Sequence, residues 1–190
     1  MLDQILKLDE SLFIYLNNLG TEFWDPFWLL YTEKWAHIPL ILVFLFLMHK
    51  VLGTKKLLVS LLVIALMITV TDQLTNLAKH GFKRPRPCRV PELEGVIRYI
   101  AKRCSRYGYF SGHSSNSMAI ALFLGSILKN RFKYVFFFVI PWALAMGYSR
   151  IYIGVHYPAD LLTGFTVGLI NGCLFFKLFK FLEKKYLVVN

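Results

Sequence analysis

Runs of apolar residues dominate this chain, and they restrict its folding more than any other feature. Leu57–Leu77 is apolar almost without interruption until Asp72, and Ala159–Leu182 is as long. A helix needs about 20 such residues to cross the hydrocarbon core of a bilayer. Three further stretches fit the same reading: Trp35–Met48 (lengthened by turns from Phe23 onward), Ser114–Leu128 and Phe132–Tyr148. Hydrophobic residues make up 56% of the 190 and charged residues only 17%. Those values exclude a disordered chain and argue against a soluble enzyme. The expected fold is all-α: one membrane-embedded domain over residues 1–190, built as a polytopic bundle of five to six transmembrane helices.

Local signals refine this picture. Leu2, Ile5, Leu6, Leu8, Leu12, Phe13, Tyr15, Leu16 and Leu19 recur at helical spacing among Asp3, Asp9 and Glu10. This predicts an N-terminal amphipathic helix, either lying at the membrane interface or packed on the bundle, and no cleaved leader. Pro141 should kink the fourth span. Gly164, Gly168 and Gly172 repeat every four residues and predict a face on which another helix approaches closely. Cys173, inside the fifth span, reads as a packed apolar residue. Trp24, Trp28 and Trp35 read as an interfacial aromatic belt.

Five spans put the loops on alternating sides. One side collects ten basic residues, from Lys50 to Lys185, against Glu183 alone, and the positive-inside rule makes it cytoplasmic. The net charge of +11 then suits anionic lipid and phosphate. Nucleic acid is not an expected partner, because much of the charge flanks membrane-length segments. The opposite side carries residues 78–113 and 149–158. Cys88 and Cys104 lie there, where an oxidising compartment would allow a disulfide; two free thiols are the alternative.

On that outer side, three polar clusters sit at the ends of different spans. They are Lys79 to Pro87, Ser111-Gly112-His113, and Ser149-Arg150 followed by His156 to Asp160. Lys79, Arg86 and Arg150 supply fixed positive charge, and arginine can grip two phosphate oxygens at once. Ser111 suits an N-cap and Gly112 allows close backbone approach, so the next N–H groups could face an anion. His156 and Asp160, four apart across Pro158, can form a nucleophile with its orienting carboxylate, leaving His113 as proton donor. Neither a metal nor another cofactor is expected. Lys83, Arg84 and Arg89 read as general field or headgroup contacts, and His37 and His80 as non-catalytic.

These residues resemble the type 2 phosphatidic acid phosphatase family, related to bacterial acid phosphatases and vanadium haloperoxidases. Lys79-x6-Arg86-Pro87 matches its first motif, K-x6-R-P. Phe110-Ser111-Gly112-His113 matches P-S-G-H except for Phe110, and Ser149-Arg150-x5-His156-x3-Asp160 matches S-R-x5-H-x3-D. The motifs span residues 79–160. The resemblance implies catalytic His156, His113 and Asp160, with a phosphohistidine on His156. It implies phosphate binding by Lys79, Arg86, Ser111, Gly112 and Arg150.

The implied activity is hydrolysis of a membrane lipid phosphate. Undecaprenyl diphosphate or lipid A is favoured, because Arg89, Arg98, Lys102 and Arg103 suit a strongly anionic headgroup. Phosphatidylglycerol phosphate and phosphatidic acid are further candidates. A phosphotransferase between lipids, a non-catalytic lipid-binding protein and a vanadate-dependent peroxidase are the competing classes. The compact size suits a bacterial inner-membrane protein with its site facing the periplasm or exterior. Oligomeric state is not legible.

Overall fold

The computed structural model describes residues 2–187, and these are nearly all helical. The elements are α1 (Leu2–Asn18), α2 (Asp25–Tyr31), α3 (Ile38–Phe82), α4 (Gly112–Leu128), α5 (Val135–Tyr152) and α6 (Pro158–Leu182). A single turn, Lys34–His37, leads into α3, and a five-residue π turn, Glu183–Leu187, follows α6. Three helical segments are long and apolar enough to cross a membrane: Lys34–Phe82, Val135–Tyr152 and Pro158–Leu187.

The first of these segments holds two of the expected spans. Gly53, with φ 69° and ψ 172°, breaks the helix there. A positive φ is natural for glycine and costly for other residues, so the chain turns back at this residue. The arms before and after Gly53 then run antiparallel: Met48 shares a buried cluster with Val63 and Met67. His49 Nε2 bonds Thr54 Oγ1 across the turn.

The 17-residue α4 is the buried centre of the bundle. Ala119, Ala121, Phe123 and Leu128 are almost wholly buried among side chains of α3, α5 and α6. The glycine face of α6 packs on it as expected. A Cβ on Gly164 would lie 2.6 Å from the Ser111 carbonyl, and one on Gly168 would lie 2.2 Å from that of Ser115. Thr71 and Asn171 join α3 to α6 by a buried hydrogen bond of 3.1 Å.

Outward faces of the bundle stay apolar. Leu62, Leu66, Phe137, Leu162 and Leu174 are all about half exposed or more, as lipid-facing residues must be. Cys173 is exposed on α6 rather than packed inside. The α5 helix continues through Pro141 as one element.

The N-terminal helix combines both expected placements. Asp9, Phe13 and Asn17 form one buried stripe against α5, α6 and the long loop. Ile5, Leu8, Leu12, Tyr15 and Leu19 form a second, exposed apolar stripe at spacings of three and four. The helix thus packs by one edge and offers another to lipid. Trp24 and Trp35 are exposed, as belt residues would be. Trp28 instead stacks on Tyr152, with ring centroids 5.3 Å apart.

Candidate active site

Three helix ends and the loop between α3 and α4 meet at one end of the bundle. The loop is pinned by a backbone bridge between Pro85 and Tyr107, and by the Gly108 N–H donating to the Arg84 carbonyl at 2.9 Å. Cys88 and Cys104 are joined by a disulfide with their Cα atoms 6.3 Å apart. Arg86 is folded inward, 6% exposed, and its Nε donates to the Tyr107 carbonyl at 3.1 Å.

Asp160 organises the centre. Pro158 opens α6 and places Asp160 in its first turn, where Oδ2 accepts the Tyr157 N–H at 3.1 Å. The same oxygen lies 3.1 Å from His156 Nδ1. The other oxygen accepts from Arg84 Nη1 at 2.9 Å, so this fully buried carboxylate has a donor on each side. With Nδ1 donating to Asp160, His156 keeps the Nε2 lone pair for chemistry. The backbone carbonyl of Asp160 accepts the Ser111 N–H at 3.0 Å and ties the start of α4 to that of α6.

Ser111 is the N-cap of α4. Its Oγ accepts the Ser114 N–H at 3.3 Å and the Ser114 hydroxyl at 3.0 Å. The N–H groups of Gly112 and His113 precede any intrahelical acceptor, which suits an anion. Arg150, in the last turn of α5, donates through Nη1 to Thr32 Oγ1, while its buried Nε has no partner among the described residues.

The electrostatics favour a bound anion and an uncharged His156. Burial, followed by the charges of Arg86, Arg150, Lys79 and Arg84, holds the His156 imidazole well below its ordinary value of 6.5. Burial also lowers Arg86, partly offset by Asp160. Burial likewise opposes the charge on Arg84, but Asp160 and Asp9 outweigh it and raise its value. The Tyr157 hydroxyl is pushed up to about 12, chiefly by burial.

Gly108 shows how tightly these groups are set. A Cβ there would lie 3.1 Å from Asp160 Oδ2, 3.2 Å from Arg86 Cγ and 3.6 Å from His156 Nδ1. On the membrane side, Lys79, Gly112 and His113 line a cleft of about 550 Å³ that runs between the arms of α3 and against α4 and α5.

A model of the PAP2 superfamily matches residues 57–184. The chain belongs to the PAP2 superfamily. A lipid A 4'-phosphatase of Porphyromonas gingivalis is 32% identical over 98% of this chain and 79% of its own length. One from Bacteroides thetaiotaomicron is 31% identical over 93% and 79%. Among solved structures, Aquifex aeolicus LpxE superposes with a TM-score of 0.70 at 26% identity, covering 90% of this chain and 95% of that one. The PAP2-type phosphatidylglycerolphosphate phosphatase of Bacillus subtilis gives 0.71 at 23%, covering 96% and 88%, and shares the fold. The expected transmembrane helical fold and the class of lipid phosphate phosphatase agree with these comparisons.

The structure brings the residues of all three PAP2 motifs to one end of the bundle and adds four that the sequence reading missed. Arg84 is no general headgroup contact: it bonds Asp160 and, at 2.5 Å, Asp9 Oδ2, and stacks over Tyr157 at 4.1 Å. Asp9 Oδ1 also accepts the Ala159 N–H at 2.8 Å, so α1 braces the first turn of α6. Thr32 and Gly108 complete the set. The position of Arg84 beside a matched motif was a usable signal; nothing local marked Asp9. His37 holds the entry to α3 through the Tyr31 carbonyl and the Trp142 indole N–H.

Proposed function

We propose that this enzyme removes a phosphate from lipid A, or a closely similar acylated sugar phosphate, through a phosphohistidine on His156. The observation that carries the substrate is the likeness, over nearly the whole chain, to two proteins named lipid A 4'-phosphatase. The mechanism rests on the His156–Asp160 pair beside Arg86, Arg150 and Lys79.

In this reading Lys79, Arg86, Arg150 and the Gly112 and His113 N–H groups hold the phosphoryl oxygens, with the Ser111 hydroxyl proton beside them. His156 Nε2 attacks phosphorus while the bond to the leaving oxygen breaks, and His113 gives that oxygen a proton. Asp160 balances the charge on the imidazole. A water, deprotonated by His113, then attacks the phosphohistidine and releases phosphate. Positioning and fixed charge supply the catalysis, as phosphoryl transfer requires. Activity should survive EDTA; strict dependence on an added divalent ion would overturn the metal-free mechanism.

We also place the enzyme in a bacterial inner membrane with this site facing the periplasm. The disulfide beside the site and the ten basic residues at the other end support that orientation. An impermeant thiol reagent should label Cys88 and Cys104 in intact, reduced spheroplasts. Labelling only after lysis would reverse the topology.

The substrate is tested by phosphate release from detergent-purified enzyme, with His156→Ala as the blank. The panel is lipid A, undecaprenyl diphosphate, phosphatidylglycerol phosphate and phosphatidic acid. Lipid A should give the highest kcat/KM; a clear preference for another lipid would refute the assignment.

A further inference from the structure

The cleft below the catalytic residues is layered, and among the described residues its middle layer makes no hydrogen bond to the residues above. Its mouth holds Lys34, Lys79 and His113, and its floor, beside Met48, Ile64 and Leu124, is apolar. Between them lie Asp72, Asn76 and Asn116. Asp72 and Asn76 are one turn apart on α3, and Asn116 is one turn below His113 on α4. At 1.5 Å per residue, this band starts about 4.5 Å below Lys79 and ends about 10 Å below it.

A carboxylate within a membrane-spanning segment is costly and calls for partners. Asn116 Nδ2 donates to Asp72 Oδ1 at 2.7 Å. That bond fixes the amide orientation and leaves Asn116 Oδ1 buried without a partner. Asp72 Oδ2 and Asn76 have no hydrogen-bond partner among the described residues and lie on the exposed side of the helix. The adjacent Thr71–Asn171 pair makes the contrast: it is buried in the bundle, as a purely structural bond should be. Asp72 Oδ2 and the Asn76 amide oxygen therefore offer spare acceptors to whatever fills the cleft, and Asn116 holds the Asp72 carboxylate in place. A phosphate or an ester, carrying acceptors only, cannot use these oxygens and can meet only the Asn76 amide N–H.

We propose that Asp72, Asn76 and Asn116 form a specificity site for hydrogen-bond donors, amide N–H or hydroxyl, on the leaving group between the phosphate and its hydrocarbon chains. The spacing accommodates one sugar ring, with the reacting phosphate at the mouth and acyl chains on the floor. An acylated amino sugar carries such donors, and phosphatidic acid carries none in that position. The site rests on the lipid A reading and states how that lipid would be distinguished.

The test compares kcat/KM for lipid A with that for phosphatidic acid in the full-length enzyme. Variants are Asn76→Leu and the double variant Asp72→Leu with Asn116→Leu. The double variant removes both partners, so neither is left buried and unpaired. The ratio should fall by about 10- to 100-fold, as expected when donors in the substrate lose charged or buried acceptors. A melting temperature that still rises with orthovanadate shows that the phosphate cradle is intact. An unchanged ratio in such folded variants overturns the specificity site and leaves the lipid A assignment standing. If wild-type enzyme does not act on lipid A, the assignment fails, and phosphatidylglycerol phosphate, with its glycerol hydroxyl, replaces lipid A in the ratio. No change in that second ratio then overturns the site as well. Should the double variant not fold, Asp72→Asn carries the same comparison, with a neutral acceptor in place of a charged one.

Discussion

Asp160, in the buried motif cluster, and Asn76, in the adjoining cleft, are held very differently. Asp160 is fully buried, with His156, Tyr157 N–H and Arg84 all directed at its two oxygens. Arg84 is held in turn by Asp9, and Arg86 by Tyr107. Asn76 projects from a single helix into an apolar cleft whose walls include the lipid-facing arms of α3. Rigidity is concentrated where charge develops in the transition state, because donors already in place need no reorganisation during reaction. The cleft needs only to be long, apolar and selectively polar at one depth.

This difference makes graded predictions. The largest effect is expected for Asp160→Asn, which removes the acceptor that fixes the His156 tautomer; kcat should fall by about 10⁴-fold while the protein still folds. Near wild-type turnover would mean that the cradle does not depend on its centre. Arg150→Ala should cost about 10²–10³-fold in kcat, the usual loss for one transition-state contact. A change confined to KM would mean that Arg150 only binds the ground state. Arg84→Met keeps much of the packing over Tyr157 but removes both carboxylate bonds. A loss of about tenfold in kcat with little change in KM, on the scale of one charged hydrogen bond, would mark it as a positioning residue.

Arg86 supplies a pH test. Its charge helps keep His156 deprotonated, so Arg86→Gln should raise the apparent pKa of the nucleophile. The acidic limb of the kcat/KM profile, measured on the residual activity, should therefore move to higher pH; movement to lower pH would contradict the field described above. The smallest effect is expected in the cleft. Leu61→Phe narrows its floor and should change kcat/KM for long-chain substrates only a few-fold, about what one or two methylenes contribute in an apolar pocket. A loss as large as that of Arg150→Ala would mean that the cleft is as rigid as the cradle.

Local patterns carried much of this structure. The glycine repeat of α6, the Ser111 cap and the His156–Asp160 spacing each depend on residues within one or two turns, and all three are found in the fold. The apolar runs gave the spans, including the two arms separated at Gly53. What the sequence did not reveal depends on contacts between distant segments. Asp9 meets Arg84 across 75 residues and Ala159 across 150, and no local spacing encodes such pairs. Arg84 was obscured by its neighbours, since one charge in a basic run looks like the rest until its partner is known. Pro141 lies inside α5, which continues through it as one element.

The brace from Asp9 to Arg84 and Ala159 has a consequence for biosynthesis. Helix α1 is synthesised long before either of its polar partners exists. Arg84 follows only after both arms of α3, and Asp160 lies in the first turn of α6. The buried Asp160 carboxylate therefore reaches its final hydrogen bonds only when α6 has been inserted and α1 has docked against it. A partly inserted chain would carry the motif residues yet lack the braced His156–Asp160 pair, so phosphatase activity would report completed membrane assembly rather than synthesis alone.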